Sequence, residues 1–412
     1  MAEELAVDGW VLISAALVLF MTPGLAFFYG GMDRSRNVLN MLMMNFWCLL
    51  IIPILWVIVG YSIAGGDFDA SWFGGFDAAF LGNLNLTTIE GANELLLVAF
   101  LGMFAVITPA LISGAVADRM KFAAWAIFAP VWMLLVFAPV FKWVYGGWLG
   151  VRGSLDFAGG TAIHVNAGIA ALVAVLILGK RKGWPGEGHP PHSMPLVMIG
   201  TGILWFGWFG FNAGSSLAAD GTAVQAFMNT FLAAAAAGLA WAVVERVKDG
   251  HFTNLGAASG IVAGLVAITP AAGYVSSMSS IWIGLAAGII CCFAVQLKFK
   301  AGYDDALDVV GVHFVGGLVG SLAIGLFADA DYFGAEHFSG LFYGGGAELL
   351  LEQAIANGVT IVYSGVVTAL ILLALKATIG IRVNDEVESS GLDIAEHGET
   401  GYNTGEVTME RA

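Results

Sequence analysis

Two histidines stand inside apolar runs of this 412-residue chain, each flanked by glycines: Gly160…His164…Gly168 and Gly311…His313…Gly316. An ionisable side chain in lipid is costly and marks a functional position unless a neighbour satisfies it. If the two imidazoles meet, a nitrogen of one donates to a nitrogen of the other, so the pair shares a proton and fixes its own tautomers. The plainer reading of each is a histidine held by a backbone carbonyl at a helix contact. A metal site is a third reading, but two ligands without Cys or acidic neighbours make a poor one. Asp156 opens the run that contains His164, eight residues before it, or about 12 Å along a helix. Its carboxylate reads as an N-cap, as the negative charge at the mouth of a cation path, or as both. His164 sits only about 9 Å inside its run, and His313 is similarly shallow from the opposite side. The rings therefore meet only if both helix starts are recessed below vestibules.

Aromatic residues gather near the ends of several runs. Phe100 and Phe104 lie in the third, Trp143, Tyr145 and Trp148 follow the fourth, and Trp205, Phe206, Trp208, Phe209 and Phe211 fall in the sixth. Aromatic belts at a membrane surface explain such clusters. A cage that holds a small cation over ring faces is the sharper alternative.

Composition says what kind of element positions these residues. The chain is 58% hydrophobic and 11% charged, against about 45–50% and about 25% in a soluble domain. Its mean hydropathy is +0.84. A soluble fold, disorder and collagen are excluded. The 56 glycines suit a membrane bundle, where small residues let helix backbones approach. A net charge of −15 excludes a general nucleic-acid partner, which would need basic patches. Cys48, Cys291 and Cys292 lie in apolar runs and read as small buried hydrophobes. No His-Glu-x-x-His is present, so a membrane metallo-enzyme finds no support and no cofactor is expected.

A bilayer core needs about 20 apolar residues per helix. Eleven candidate spans are read at approximately 9–29, 41–62, 93–116, 123–145, 158–178, 194–213, 223–244, 257–273, 279–297, 309–327 and 351–377. Arg34, Arg36, Arg119, Lys121, Lys180, Arg181, Lys182, Arg246, Lys248, Lys298, Lys300, Lys376, Arg382 and Arg411 all fall on one side, 14 of the 16 basic residues; Lys142 and Arg152 fall on the other. The positive-inside rule then predicts an all-α integral membrane protein with its N-terminus outside and its C-terminus inside. The first run lacks the basic n-region of a signal peptide and is read as a retained helix. The outer loops are acidic at Asp67, Asp69, Asp77 and Glu90.

Five spans, five spans and one more suggest an inverted repeat, with a substrate site at the interface of the halves. Ile-Thr-Pro-Ala occurs at 107–110 and again at 268–271, and each half carries its glycine-flanked histidine in its last span. The expected organisation is a transmembrane domain over 1–378, made of half-repeats at about 9–193 and 194–345 and a final helix at 351–377. A polar, acidic cytoplasmic tail over 379–412 follows.

The chain resembles the ammonium transporter (Amt/Mep/Rh) family, in its prokaryotic Amt branch. The motifs that carry the resemblance begin with Gly24-Leu-Ala-Phe-Phe-Tyr-Gly-Gly-Met-Asp-Arg-Ser-Arg-Asn37, Phe104-Ala-Val-Ile-Thr-Pro-Ala-Leu-Ile-Ser-Gly-Ala115 and Asp156-Phe-Ala-Gly-Gly-Thr-Ala-Ile-His164. They continue with Gly207-Trp-Phe-Gly-Phe-Asn-Ala-Gly-Ser215, Asp308-Val-Val-Gly-Val-His313, and Gly380-Ile-Arg-Val…Gly391-Leu-Asp-Ile-Ala-Glu-His-Gly-Glu399. The resemblance implies paired pore histidines at His164 and His313, a gate of Phe104 and Phe211, and a pore-lining Trp208. It implies a recruitment site at Phe104, Ser215 and Asp156, where the family's tryptophan falls at Tyr145, with Trp143 as the shifted alternative; Phe100 joins the gate lining. It further implies homotrimers in the cytoplasmic membrane, and a tail that contacts neighbouring subunits and a PII-type signalling protein.

Physics gives these parts work to do. An ammonium ion in apolar surroundings meets a desolvation penalty of tens of kcal/mol in the idealised limit. Burial favours the neutral form, so ammonium should lose its proton near the gate and cross as ammonia, while the proton follows the histidines. The expected function is transport of ammonium, ammonia and methylammonium for nitrogen uptake, without enzymatic activity. The alternatives are a passive ammonia channel and a membrane ammonium sensor. Charge on the basic loops, at Arg119, Lys121, Lys180 and Arg181, together with apolar contacts from Leu392 and Ile394, is expected to dock the tail.

Overall fold

The computed structural model describes residues 2–66, 72–82, 84, 87–186, 188–333 and 339–402. Asp67, Asp69 and Arg411 lie outside them. Among the described residues the regular structure is helical apart from two isolated bridges, Met120 with Arg382 and Val275 with Ala328. In chain order the helices are α1 Ala2–Met32, α2 Val38–Leu55, α3 Ile89–Ser113, α4 Phe122–Trp132, α5 Ala138–Val144, α6 Trp148–Arg152, α7 Asn166–Leu178 and α8 Met194–Gly214. The series continues with α9 Gly221–Asp249, α10 Asn254–Ile268, α11 Ser277–Ala301, α12 Val315–Phe327, α13 Ala330–Phe333, α14 Glu348–Thr378 and α15 Asp385–Ser390. Wide π-type turns lead into α7 (Gly160–Val165) and α12 (Val310–Phe314) and join α4 to α5 (Met133–Phe137).

Ten segments among the described residues are long and apolar enough to cross a membrane. The eighth expected run, read at 257–273, folds instead as the 15-residue α10. The helix ends at Ile268 with Thr269 as its C-cap, and the chain then turns so that the Pro270 carbonyl accepts from Phe157 N at 3.0 Å. The seventh run is longer than its apolar stretch. Asp220 caps α9 by accepting from Ala223 N, and the helix runs past Glu245 to Gly250, whose φ is +83°.

Small residues set the packing. A Cβ on Gly200 of α8 would lie 2.3 Å from Phe28 N on α1, and one on Gly288 of α11 would lie 2.3 Å from Ala237 O on α9. Both pairs of backbones approach as only glycine permits. All three cysteines are free and buried.

One end of the bundle is rich in arginine and carries an ionic knot. Arg181 meets Asp304 at 2.8 Å and Asp118 at 2.9 Å, and Arg119 donates to the carbonyls of Gly179, Ala117 and Asp304. Burial opposes the charge on Asp118, but a hydrogen bond with Asp33 and the guanidiniums of Arg181 and Arg34 outweigh it and hold Asp118 well below the usual carboxylate range.

The tail folds against this end through Tyr402, though not in the way its charges suggest. Arg119 and Arg181 are consumed by the knot. Lys180 stands over the Trp184 ring, and Lys121 Nζ donates to the Ile379 carbonyl. The tail's carboxylates go to backbone amides and to the tail's own arginine instead: Asp393 accepts from Leu39 N and Asn40 N at the start of α2, Glu396 from Phe122 N at the start of α4, and Glu388 from Lys182 N and from Arg382 at 2.7 Å. Unsatisfied amides at helix starts attract carboxylates in this manner. Leu392 is fully buried as expected, whereas Ile394 is 53% exposed.

Candidate functional site

The two histidines meet. His164 and His313 sit in the two wide turns that lead into α7 and α12, with Nδ1 to Nδ1 at 3.3 Å and ring planes 15° apart. Both are almost completely buried. The turns can approach because a Cβ on Gly168 would lie 2.5 Å from Phe314 Cα.

Hydrogen-bond partners assign the tautomers. The Tyr29 hydroxyl donates to the Leu111 carbonyl at 3.1 Å, so its oxygen accepts from His313 Nε2 at 3.4 Å. His313 Nδ1 is then the bare acceptor in the neutral ring. His164 Nδ1–H donates to it, leaving His164 Nε2 as a lone pair. That atom has no hydrogen-bond partner among the described residues and belongs to a residue lining a narrow cavity with Leu25, Ile107, Leu204, Trp208 and Val262. The cavity leaves about 10 Å³, the room of one water-sized sphere.

Above it, the rings of Phe104 and Phe211 lie 4.4 Å apart, and Phe100 sits 4.9 Å from Phe104. Trp208 stacks on His164 with centroids 5.5 Å apart, its indole N–H fixed on Thr269 Oγ1 at 2.7 Å. Beyond the phenylalanines opens a cavity of about 400 Å³, lined by Phe100, Phe104, Tyr145, Asp156, Ser215 and Tyr274 among others. Ser215 Oγ donates to the Phe211 carbonyl. Trp143 is not among the lining residues: its indole donates to the Trp72 carbonyl and its ring packs on Tyr363. Of the two candidate recruitment aromatics, Tyr145 is the one on this cavity.

Asp156 is a cap for a whole helix start. One oxygen accepts from Gly159 N and Gly160 N at 2.8 and 2.7 Å, the other from Thr161 N and Ala162 N at 2.8 and 3.0 Å. Gln353 of α14 holds the preceding loop by exchanging hydrogen bonds with Leu155, and Asn357 accepts from Thr161 Oγ1.

Sequence reading missed the counterpart in the second half. Asp305 accepts from Val310 N at 2.7 Å, eight residues before His313, as Asp156 stands eight before His164. Burial pushes its carboxyl up to about 6, against the pull of Lys298. The equal spacing was the available signal. Tyr29 carried none, lying in a motif with no apparent chemistry of its own.

A family described as the Ammonium Transporter Family matches residues 9–402. The ammonium transporter of Mycobacterium tuberculosis is 49% identical over 426 aligned residues, covering 95% of this chain and 89% of that protein. The crystal structure of Candida albicans Mep2 superposes with a TM-score of 0.87 at 34% identity, covering 92% of this chain and 87% of that one. A structure titled Sensor Amt Protein superposes with a TM-score of 0.89 at 29% identity, covering 96% and 99%.

Proposed function

The chain belongs to the ammonium transporter family, and from that premise we propose that it collects ammonium in the aromatic cavity, strips its proton at the Phe104–Phe211 gate and passes ammonia along the narrow cavity. The proton crosses separately through the linked imidazoles of His164 and His313 and rejoins ammonia on the inner side. The observation that carries this reading is the direct Nδ1–Nδ1 contact beneath the gate. It supplies a proton path beside a passage too narrow and apolar for a hydrated cation. The bare Nε2 of His164 offers ammonia an acceptor on the way.

The finer organisation follows the same reading. Eleven spans, with α10 counted as the eighth, place the N-terminus outside and the arginine-rich end in the cytoplasm. The half-repeats are 9–193 and 194–345, followed by the final helix, with the tail from 379. The matched Asp-to-His spacing in the two halves supports this division. The protein acts as a homotrimer in the cytoplasmic membrane.

Purified protein in liposomes should take up labelled methylammonium, with an inward current recorded on the same preparation. Uptake without current would leave a passive ammonia channel, and absence of both would remove the transport reading. A sensor reading draws on the likeness to the structure titled Sensor Amt Protein and on the folded tail. Binding of methylammonium without uptake is its signature.

The tail is read as a regulatory surface for a PII-type protein. Leu392 N donates to Asn37 Oδ1, and the Asn37 amide in turn donates to Asp118, so the tail reaches the ionic knot in two steps. Truncation before Gly380 removes the Asp393 cap of α2, worth about 0.5–2 kcal/mol. Uptake is expected to fall at least about twofold, and any inhibition by an added PII-type protein to vanish. Unchanged uptake and intact partner binding would make the tail a passive appendage.

A further inference from the structure

The cavity above the gate presents a puzzle of charge. A cation entering an apolar mouth needs a carboxylate within reach, and Asp156 is the acid on the lining. Both of its oxygens, however, already accept from two amides each. A carboxylate offers about four lone-pair sites, so four amides take most of what Asp156 can offer; the Tyr145 hydroxyl on the cavity wall also hydrogen-bonds to it, and Asp156 acts on an entering ion through that hydroxyl and through its field.

Glu94 stands differently. It lies on α3 in a stripe with Leu97, Leu101 and Phe104, positions three, seven and ten residues further on. Such spacing puts side chains along one helix face. Leu97, Leu101 and Phe104 all line the cavity, so Glu94 heads the face that descends to the gate, about 15 Å above Phe104 along the helix. The residue is partly exposed, and its carboxylate accepts from the Tyr61 hydroxyl at 3.5 Å. Tyr61 lines the cavity and is 3% exposed, with its ring set edge-on against Trp56. Among the described residues, Glu94 forms no salt bridge with a basic side chain.

We propose that Glu94 and Tyr61 form a cation-collecting pair at the rim of this cavity, which holds a small, still partly hydrated ammonium or alkylammonium ion before it reaches Asp156 and the phenylalanine gate. Glu94 supplies an accessible carboxylate, and the rigid Tyr61 hydroxyl orients it and offers its own oxygen to the ion. The pair rests on the cation-handling reading above and deepens it by adding two cation-binding residues ahead of the site. A fixed negative charge at a low-dielectric mouth raises the local cation concentration, and added salt screens the effect.

The test is equilibrium binding of labelled methylammonium to detergent-solubilised protein, with uptake measured on the same variants in liposomes. At low ionic strength, Glu94→Gln is expected to weaken the apparent affinity roughly three- to tenfold, and the gap should close to less than about twofold in strong salt. Maximal uptake should change far less than KM. Tyr61→Phe should shift affinity in the same direction by a smaller factor, and Glu94→Asp, which keeps the charge, should recover most of the loss. Equal affinities of wild type and Glu94→Gln at low salt would overturn the pair. So would a loss of the same size at both salt levels, or one that Glu94→Asp shares in full, because each marks a structural role. Wild-type binding without uptake would remove the transport reading while leaving the Glu94 comparison decisive.

Discussion

His313→Ala should carry less than about a tenth of the wild-type ammonium-driven current, a rise of at least about 1.4 kcal/mol in the barrier for charge movement. The reason is the bonding order around the pair. His313 Nε2 faces the Tyr29 hydroxyl and its Nδ1 faces His164 Nδ1, so the ring is the link between a lone pair in the narrow cavity and the hydroxyl on its far side. Alanine breaks both bonds at once and leaves His164 Nδ1–H without its acceptor. The variant also opens room beside a passage of only about 10 Å³, so uncharged ammonia should still pass. Stopped-flow measurement of internal pH in ammonia-loaded liposomes, set beside current from solid-supported membranes, separates the two. Retained ammonia flux with lost current supports separate paths for proton and ammonia. Unchanged current in a variant that elutes and melts like wild type would remove the histidine relay. Tyr29→Phe is the milder companion, because it takes away one partner of His313 and leaves the contact with His164.

How far the chain could be read before its fold was known differs from part to part. The apolar runs were legible because a bilayer demands length and hydropathy, and ten of them appear as helices fit to cross one. The eighth was misjudged at its end, since an apolar stretch continues through Ala267, Ile268 and Ala271 while the backbone turns at Pro270. The same Ile-Thr-Pro-Ala stays helical at 107–110 in α3 and leaves the helix at 268–271, a difference that hydropathy does not show. The histidines were legible as costly groups in matched settings, but their meeting was not. It depends on two helix starts recessed into the bundle, each held by an aspartate eight residues upstream, and on Gln353 and Asn357 of the final helix bracing one of them. Those contacts span nearly two hundred residues of sequence, and no local pattern announces them. The tail shows the opposite error. Its acidic composition suggested pairing with basic loops, yet its carboxylates seek backbone amides at the starts of α2 and α4, partners that have no letter in the sequence.

Asp156→Ala should leave a protein that still assembles but takes up methylammonium at less than about a tenth of the wild-type rate. An ordinary cap is worth about 0.5–2 kcal/mol. Asp156 serves four amides where an ordinary cap serves one or two, so the loss should lie at or above the upper end of that range. The turn it holds, Gly160–Val165, carries His164, so loosening it moves the imidazole as well as removing a charge from the wall of the cavity. Asp156→Asn helps to separate these roles. Its single carbonyl oxygen can accept from two amides, while its NH2 group would face two further N–H donors and repel them. The Asn variant should therefore keep about half of the cap, melt between wild type and Asp156→Ala, and lose the charge entirely. If charge governs cation entry, Asn transports as poorly as Ala despite its higher melting temperature. If capping governs, transport follows the melting temperatures across the three proteins. A wild-type rate in Asp156→Asn would show that neither the charge nor the full set of four bonds is needed, and would leave Glu94 as the acid on which cation collection depends.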